Sequence, residues 1–362
     1  MARAFPIELI EKLSKDDSLE PIFYKEDKLC FYCAGGKFLT LSKTGCPTRH
    51  GYFNYFDTEE QLDAFKNEKD AAKAYDPASC IYRYSKKAMD NRAHDIHPLG
   101  ETQKANNPLE RLYQQKIAFN NRPSNNKSCG VASFSFGISS EYLWGKDEID
   151  LWIAQNKSNQ KTEALLEEEL EAACVDEPEI DKDALTQAKE GKRPAPTFID
   201  LVWVDEENKK IVFIEYKMKP ASLNGKSGVE DHCAKTFLSM DNVEVKKEAL
   251  MRYYAKKEFH KGNLTCRAQD FKDKSAKDIV DYESICCLMF SDIKKDQVRR
   301  TISKLKKSGR TTIMNIMQSK NQEKAQKISI DKCFENTYYI YQPDHEDIVL
   351  SMDNFIPIAD VK

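Results

Sequence analysis

"FIDLVWVDEENKKIVFIEYKMK", residues 198–219, sets two apolar runs on either side of a polar stretch. β-branched and aromatic residues fill both runs, which predicts two strands joined by a tight loop. Each run is apolar on both of its faces, the pattern of strands covered on two sides. Against that pattern stand Asp200 in the first strand and Glu215 and Lys217 at the end of the second. Taking the loop as 205–208 pairs Asp200 with Phe213 and Phe198 with Glu215. Directly paired residues share a face, and so do residues two apart on one strand. Asp200, Glu215 and Lys217 are therefore expected on one face, with Val202 and Ile211 continuing it into the core. Ile199, Leu201, Trp203, Val212, Ile214 and Tyr216 make the other face.

Two nearby carboxylates repel and raise each other's pKa. A divalent cation removes that cost, and an ammonium group beside them reduces it. Mg²⁺ or Mn²⁺ suits such a site, because one or two carboxylates, waters and a phosphate complete an oxygen shell. The metal acidifies its bound water and steadies charge on a phosphate under attack. Asp200 and Glu215 are the expected metal ligands, and Lys217 is expected to hold the attacking water or offset charge on phosphorus.

Asp200, fourteen residues, then Glu215-Tyr216-Lys217 across a hairpin resembles the PD-(D/E)XK nuclease superfamily. The resemblance implies an α/β fold with an αβββαβ restriction-endonuclease-like core, a mixed central sheet, and metal-dependent hydrolysis of phosphodiester bonds. It also implies a glutamate from the first core helix at the metal site, a position matched by Glu110 in "NPLERLYQQK". The helix expected over 243–259 and the strand over 284–293 match the closing helix and strand. The resemblance covers about 107–293, with Ile199 rather than proline before Asp200 and a large acidic insertion between helix and hairpin. DNA rather than RNA is the expected substrate, since such nucleases often serve restriction, repair or antiphage defence. The alternative is a protein that kept the fold, lost catalysis, and works as a binding or scaffold component.

The 362 residues are 32% charged and 40% apolar, with a net charge of −3. A chain of this length suggests two domains or one elaborated domain. No run of 18 apolar residues occurs, so no membrane span is expected. The first fifteen residues lack a signal-peptide core, which predicts a cytoplasmic home. Eleven cysteines at irregular spacings read as buried thiols. Residues 1–92 read as a smaller α+β module, with a helix over 1–15, a hairpin over 28–43 turning at Gly35-Gly36, and a helix over 57–75. The core over 107–293 opens on a helix with Asn107 as cap and Pro108 at its first position. It continues with strands over 131–138 and 149–154 and an acidic helical insertion near 161–192. Residues 294–362 read as a basic helix and strands over 327–330 and 337–341, packed on the core.

The segment 294–310 holds eight Lys and Arg against one acid. Arg299, Arg300 and Lys304 are expected along a phosphate backbone, with Lys219 just past the second strand. The Gly- and Ser-rich loop 220–228 is expected to close over substrate. Lys246, Lys247, Arg252, Lys256 and Lys257 form a second basic set, in which Tyr253 and Tyr254 are expected to pack. Cys30, Cys33, Cys46 and His50 have zinc-ligand types at C-x2-C-x12-C-x3-H spacing. On a strand, however, residues three apart face opposite sides, which favours buried thiols. His94 and His97 lack a clear third ligand. An unrestrained nuclease would harm its host, so a regulatory protein partner or a homo-oligomer is expected.

Overall fold

The computed structural model describes residues 7–15, 19–24, 28–33, 36–41, 47–49, 108–124, 128–138, 143, 197–218, 220–224, 228–343 and 348–361. The segments expected as a helix over 57–75, a strand over 149–154 and an acidic insertion near 161–192 lie outside these residues. So do Cys46, His50, His94, His97 and Lys219.

The chain forms two units, Met1–Ser133 with Leu250–Asp278, and Phe134–Ala249 with Ile279–Lys362. This division differs from the expected boundaries after residue 92 and residue 293. Polar contacts explain part of the difference. The helix Pro108–Asn120, expected in the core, is tied to the N-terminal sheet by Gln115 Nε2, which donates to the Tyr32 carbonyl at 3.2 Å.

In the first unit, helix α1 (Ile7–Ser14) precedes strands β1 (Leu19–Tyr24), β2 (Lys28–Cys33), β3 (Gly36–Leu41) and β4 (Pro47–Arg49). They form an antiparallel meander in that order. The expected hairpin is β2–β3, with Cys33 opposite Gly36 at its turn. Strand β1 escapes a reading by pattern because Glu20 and Pro21 interrupt it. Pro21 is tolerated because β1 lies at the sheet edge, where a missing N–H breaks no inner ladder. Helix α2 (Pro108–Asn120), the second half of α4 (Val243–His260) and the short α5 (Lys272–Asp278) complete this unit. Its core joins Ile10, Leu13, Leu19, Phe23, Phe31 and Leu41 to Met251, Ala255 and Phe259. The Phe259 ring meets Phe23 and Phe31 edge-on, at 5.7 and 6.3 Å.

Two of the basic residues of α4, Arg252 and Lys256, are spent inside the protein, which corrects their expected place on a nucleic-acid surface. Arg252 is buried, with its guanidinium 4.6 Å from the Tyr24 ring centre and Nη1 donating to Ser133 Oγ at 3.2 Å. Lys256 is fully buried against Glu20. Lys246 donates to the Tyr282 carbonyl. Tyr253 and Tyr254 are buried, as expected of packing residues.

The second unit is a mixed α/β unit built on a six-stranded sheet ordered β10-β9-β8-β7-β6-β5. The strands are β5 (Cys129–Ile138), β6 (Thr197–Asp205), β7 (Lys210–Lys217), β8 (Glu283–Phe290), β9 (Thr337–Tyr341) and β10 (Ile356–Pro357). Of β5, the residues from Phe134 onward belong to this unit. β6 and β7 form the antiparallel hairpin, β8 runs parallel to both β7 and β9, and β10 returns antiparallel. A parallel neighbour demands a crossover. Helix α3 (Val229–Ser239) and then α4 lie in the segment between β7 and β8.

The hairpin register differs from the expected one by two residues. Val202 faces Phe213, Val204 faces Ile211, and the ladder ends with Leu201 opposite Ile214. Asp205 therefore stays in the strand, opposite Lys210, and the turn is 206–209. Its carboxylate closes that turn by accepting from Asn208 N at 3.0 Å and Asn208 Nδ2 at 2.7 Å, while Lys209 takes a φ of 52°. A slip of two preserves every face, because side chains alternate with period two.

After β8, helix α6 (Lys295–Lys304) continues through a π-helical turn, Leu305–Gly309, into α7 (Arg310–Lys320). Gly309 suits that turn, since a Cβ there would lie 2.8 Å from Leu305 Cδ1. The strand expected over 327–330 is absent. Helix α8 (Gln322–Lys327) ends there and α9 (Ile330–Glu335) begins, with Ser329 Oγ capping Lys332 N at 3.4 Å. No helix of the described residues is long and apolar enough to cross a membrane.

Candidate functional site

β7 is buried between layers, and its last residues still carry ionisable groups. Glu215 and Lys217 are only 3% and 4% exposed. Strand alternation and the hairpin register put both on the face shared by Phe213, Val202 and Asp200. Burying an acid and an amine at the end of a core strand is costly unless each finds a partner. Lys217 Nζ sits 2.7 Å from Glu215 Oε1.

Asp200 is half-buried and does a different job. The backbone ladder stops one residue after it, and Asp200 Oδ2 accepts the next amide of β7, Tyr216 N, at 2.7 Å. The carboxylate thus replaces a strand carbonyl and holds the ends of β6 and β7 together. On the opposite face of β7, the Tyr216 hydroxyl accepts from Ser291 Oγ at 2.9 Å.

A third partner comes from α3, a stretch for which the sequence reading gives no element. His232 Nδ1 lies 2.8 Å from Glu215 Oε1, on the same oxygen as Lys217. A periodic signal for this helix was present in Val229, Cys233 and Phe237, with Ala234 and Leu238 beside them, all buried. Gly228 sits before its first residue for a steric reason, since a Cβ there would lie 2.7 Å from the Asn224 carbonyl carbon. The first turn of α3 is anchored from several sides. Glu230 pairs with Lys304 at 3.7 Å and Asp231 with Lys320 at 3.9 Å, while Lys235, one turn on in the same helix, lies 2.8 Å from Asp231. At its far end, the Met240 carbonyl accepts from Ser284 Oγ of β8 at 2.7 Å.

Burial alone would push the Glu215 carboxyl up. His232 and Lys217 outweigh it and hold the group at about 2. The other carboxylate oxygen, Oε2, is buried and makes no hydrogen bond among the described residues. The sign of the pH dependence follows. A depressed folded-state pKa contributes stability that is fully present above the unfolded value of 4.5 and is lost as pH falls towards about 2. Denaturant unfolding between pH 5 and pH 2 is therefore expected to fall more steeply in the parent protein than in Glu215→Gln. The expected difference is on the order of 3 kcal/mol. Parallel curves would show that Glu215 carries no such linkage.

The remaining expected residues divide by place. Glu110 is half-buried in the first turn of α2, in the first unit, whereas Asp200, Glu215 and Lys217 belong to the second. Arg299, Arg300 and Lys304 are exposed along α6, opposite the buried Val298 and Ile302. Among the described residues Arg299 and Arg300 make no ion pair, and Lys304 makes the contact to Glu230. Cys30 is a buried free thiol whose Sγ lies 3.1 Å from Thr40 Oγ1. Cys286, Cys287 and Cys333 are also free and buried, and burial pushes the Cys333 thiol up to about 12. Among the described residues no group of three or more His, Cys, Asp and Glu is arranged to hold a metal ion.

No family model, curated protein or solved structure matches the chain.

Proposed function

We propose that the chain is a metal-dependent nuclease that hydrolyses phosphodiester bonds, with DNA as its substrate. One observation carries this reading. Glu215 Oε2 is a buried anionic oxygen without a hydrogen-bond donor among the described residues, on the sheet face that Asp200 shares. Such an oxygen is costly to leave alone, and a divalent cation would offset the cost. The donor chemistry fits Mg²⁺ or Mn²⁺, with Glu215 and Asp200 as the residues that would hold it and water and phosphate filling the other positions. When bound, the ion supplies an acidified water and positive charge beside the phosphate. Lys217 and His232 both lie against Oε1 and leave Oε2 for the cation. Asp200 fixes the strand ends through Tyr216 N.

Within the second unit, the order β5, β6 and β7, helix α3, then strand β8 supports the βββαβ part of a restriction-endonuclease-like core. The exposed cations of α6 support a nucleic-acid substrate. A cytoplasmic home, restraint by a regulatory protein or second copy, and a role in restriction, repair or antiphage defence belong to the same reading. The test is cleavage of plasmid DNA, single-stranded DNA and RNA with Mg²⁺ or Mn²⁺, each repeated with EDTA. Metal-dependent cleavage that EDTA abolishes is expected. No cleavage under any metal would overturn the reading in favour of a binding or scaffold protein of the same fold. That second reading draws on the Lys217–Glu215 contact of 2.7 Å, which already neutralises the acid without a metal.

The surface of α6 gives a separate expectation. Arg299→Ala with Arg300→Ala and Lys304→Ala removes three exposed charges and spares the proposed metal ligands. Binding is expected to weaken, with the slope of log affinity against log salt flattened by about 3 at most. Unchanged affinity across several salt concentrations would make this helix a solvated surface.

A further inference from the structure

We propose that His232 is a positioning residue, which holds the Glu215 carboxylate in the orientation that presents Oε2 to a divalent cation. The inference rests on the metal-dependent reading above and goes beyond it by assigning a residue outside the Asp200, Glu215 and Lys217 pattern.

Three observations carry it. The first is the contact itself, Nδ1 to Oε1 at 2.8 Å, made to a carboxylate that is only 3% exposed. The second is the division between the two oxygens. Both His232 and Lys217 approach Oε1, while Oε2 is buried with no donor among the described residues. A carboxylate gripped on one oxygen from two directions has its second oxygen fixed in place. The third is where each grip comes from. Lys217 is two residues along the same strand and reaches Oε1 through a flexible four-carbon stem, so it follows the carboxylate rather than directing it. His232 reaches across from a separate element with a rigid ring on two rotatable bonds. That element is itself held, through Asp231 to Lys320, Glu230 to Lys304, and Ser284 to the Met240 carbonyl. The Phe237 ring adds an edge contact to Phe334 at 5.9 Å. A rigid ring on a clamped helix, 2.8 Å from Oε1, can set the angle of the carboxylate.

Groups that hydrogen-bond a metal-ligating carboxylate typically change metal affinity by about 10–100-fold when removed. The experiment is Mn²⁺ binding to the purified full chain, followed by electron paramagnetic resonance without nucleic acid, beside thermal unfolding. His232→Leu removes the polar contact to Oε1 and keeps bulk. His232→Asn keeps an amide N–H near the position of Nδ1. Expected are a loss of Mn²⁺ affinity of about 10-fold or more in the folded fraction of His232→Leu and recovery of most of it in His232→Asn, whatever the shift in unfolding temperature. Should the leucine variant fail to fold, His232→Ala takes its place in the same comparison. A purely structural role would lower the unfolding temperature and leave the affinity of the folded fraction unchanged, which would overturn the inference. Parent protein that binds Mn²⁺ no differently from His232→Leu overturns the inference alone. Parent protein that binds no Mn²⁺ overturns the metal-dependent reading and the inference with it.

Discussion

Lys256→Met is expected to destabilise the protein by about 3–5 kcal/mol, because it keeps the stem of the side chain and strands a buried carboxylate. Glu20 and Lys256 are both fully buried and in contact. Glu20 lies on β1 and Lys256 on the second half of α4, so the pair ties the edge of the N-terminal meander to the helix that covers its core. Arg122 adds a second cation, with Nε 2.8 Å from Glu20 Oε2 and its guanidinium 3.9 Å from the Phe119 ring centre. Burial pushes the Glu20 carboxyl up, yet Lys256 and Arg122 together hold it below its ordinary value. In Lys256→Met, Arg122 remains, which places the expected loss towards the lower end of that range. Glu20 is ionised above its unfolded value of 4.5, so the gap between parent and variant should narrow as pH falls below 4.5. The double change Glu20→Gln with Lys256→Met should recover part of the loss, since removing both charges leaves less to desolvate. Denaturant unfolding at pH 7 and pH 4 measures all of this. A single variant as stable as the parent would mean that the pair contributes nothing net.

The same pair shows where reading from sequence stops. Lys256 sits in a run of basic residues, and composition alone puts such a run on a surface. Its burial depends on Glu20, more than two hundred residues earlier, and no spacing rule connects them. Glu20 in turn hides strand β1, because an acid and a proline inside six residues break the alternation that marks a strand. The hairpin was legible for the opposite reason. Its faces depend only on period two, so Asp200, Glu215 and Lys217 share a face in both the expected and the observed register. The register itself was not legible, because Asp205 could belong to the turn or the strand. Its hydrogen bonds to Asn208 close the turn one residue later. His232 was the larger omission. It approaches Glu215 only because the chain must cross over between parallel strands β7 and β8, and α3 lies on that crossover with its first turn against the strand end. The basic segment after β8 was read as helical and is, because Val298, Ile302 and Leu305 recur at helical spacing.

Under the proposed metal-dependent cleavage, Lys217→Ala is expected to lower phosphodiester cleavage by roughly 10²–10³, while cation and nucleic-acid binding stay close to those of the parent. The argument is a division of labour among three neighbours. Glu215 and Asp200 supply oxygens, so Glu215→Ala and Asp200→Ala should weaken cation binding directly. Lys217 has no side-chain oxygen and cannot ligate a cation. Its ammonium lies against Glu215 Oε1, 4% exposed, where it offsets negative charge in a nearly dry site. That work grows in value as charge builds on a phosphate under attack, so its loss should appear in the catalytic rate more than in binding. His232 remains on Oε1 in the variant and keeps the carboxylate oriented, which is why cation affinity should survive. Glu215 would lose one of the two side chains that hold its pKa down, so that pKa should move up from about 2. Mn²⁺ affinity, DNA affinity and single-turnover cleavage, measured for the three alanine variants side by side, separate these effects. Full cleavage by a folded Lys217→Ala protein would refute the assigned role. Loss of cation binding in that variant, equal to the loss in Glu215→Ala, would instead make Lys217 part of what orients the carboxylate.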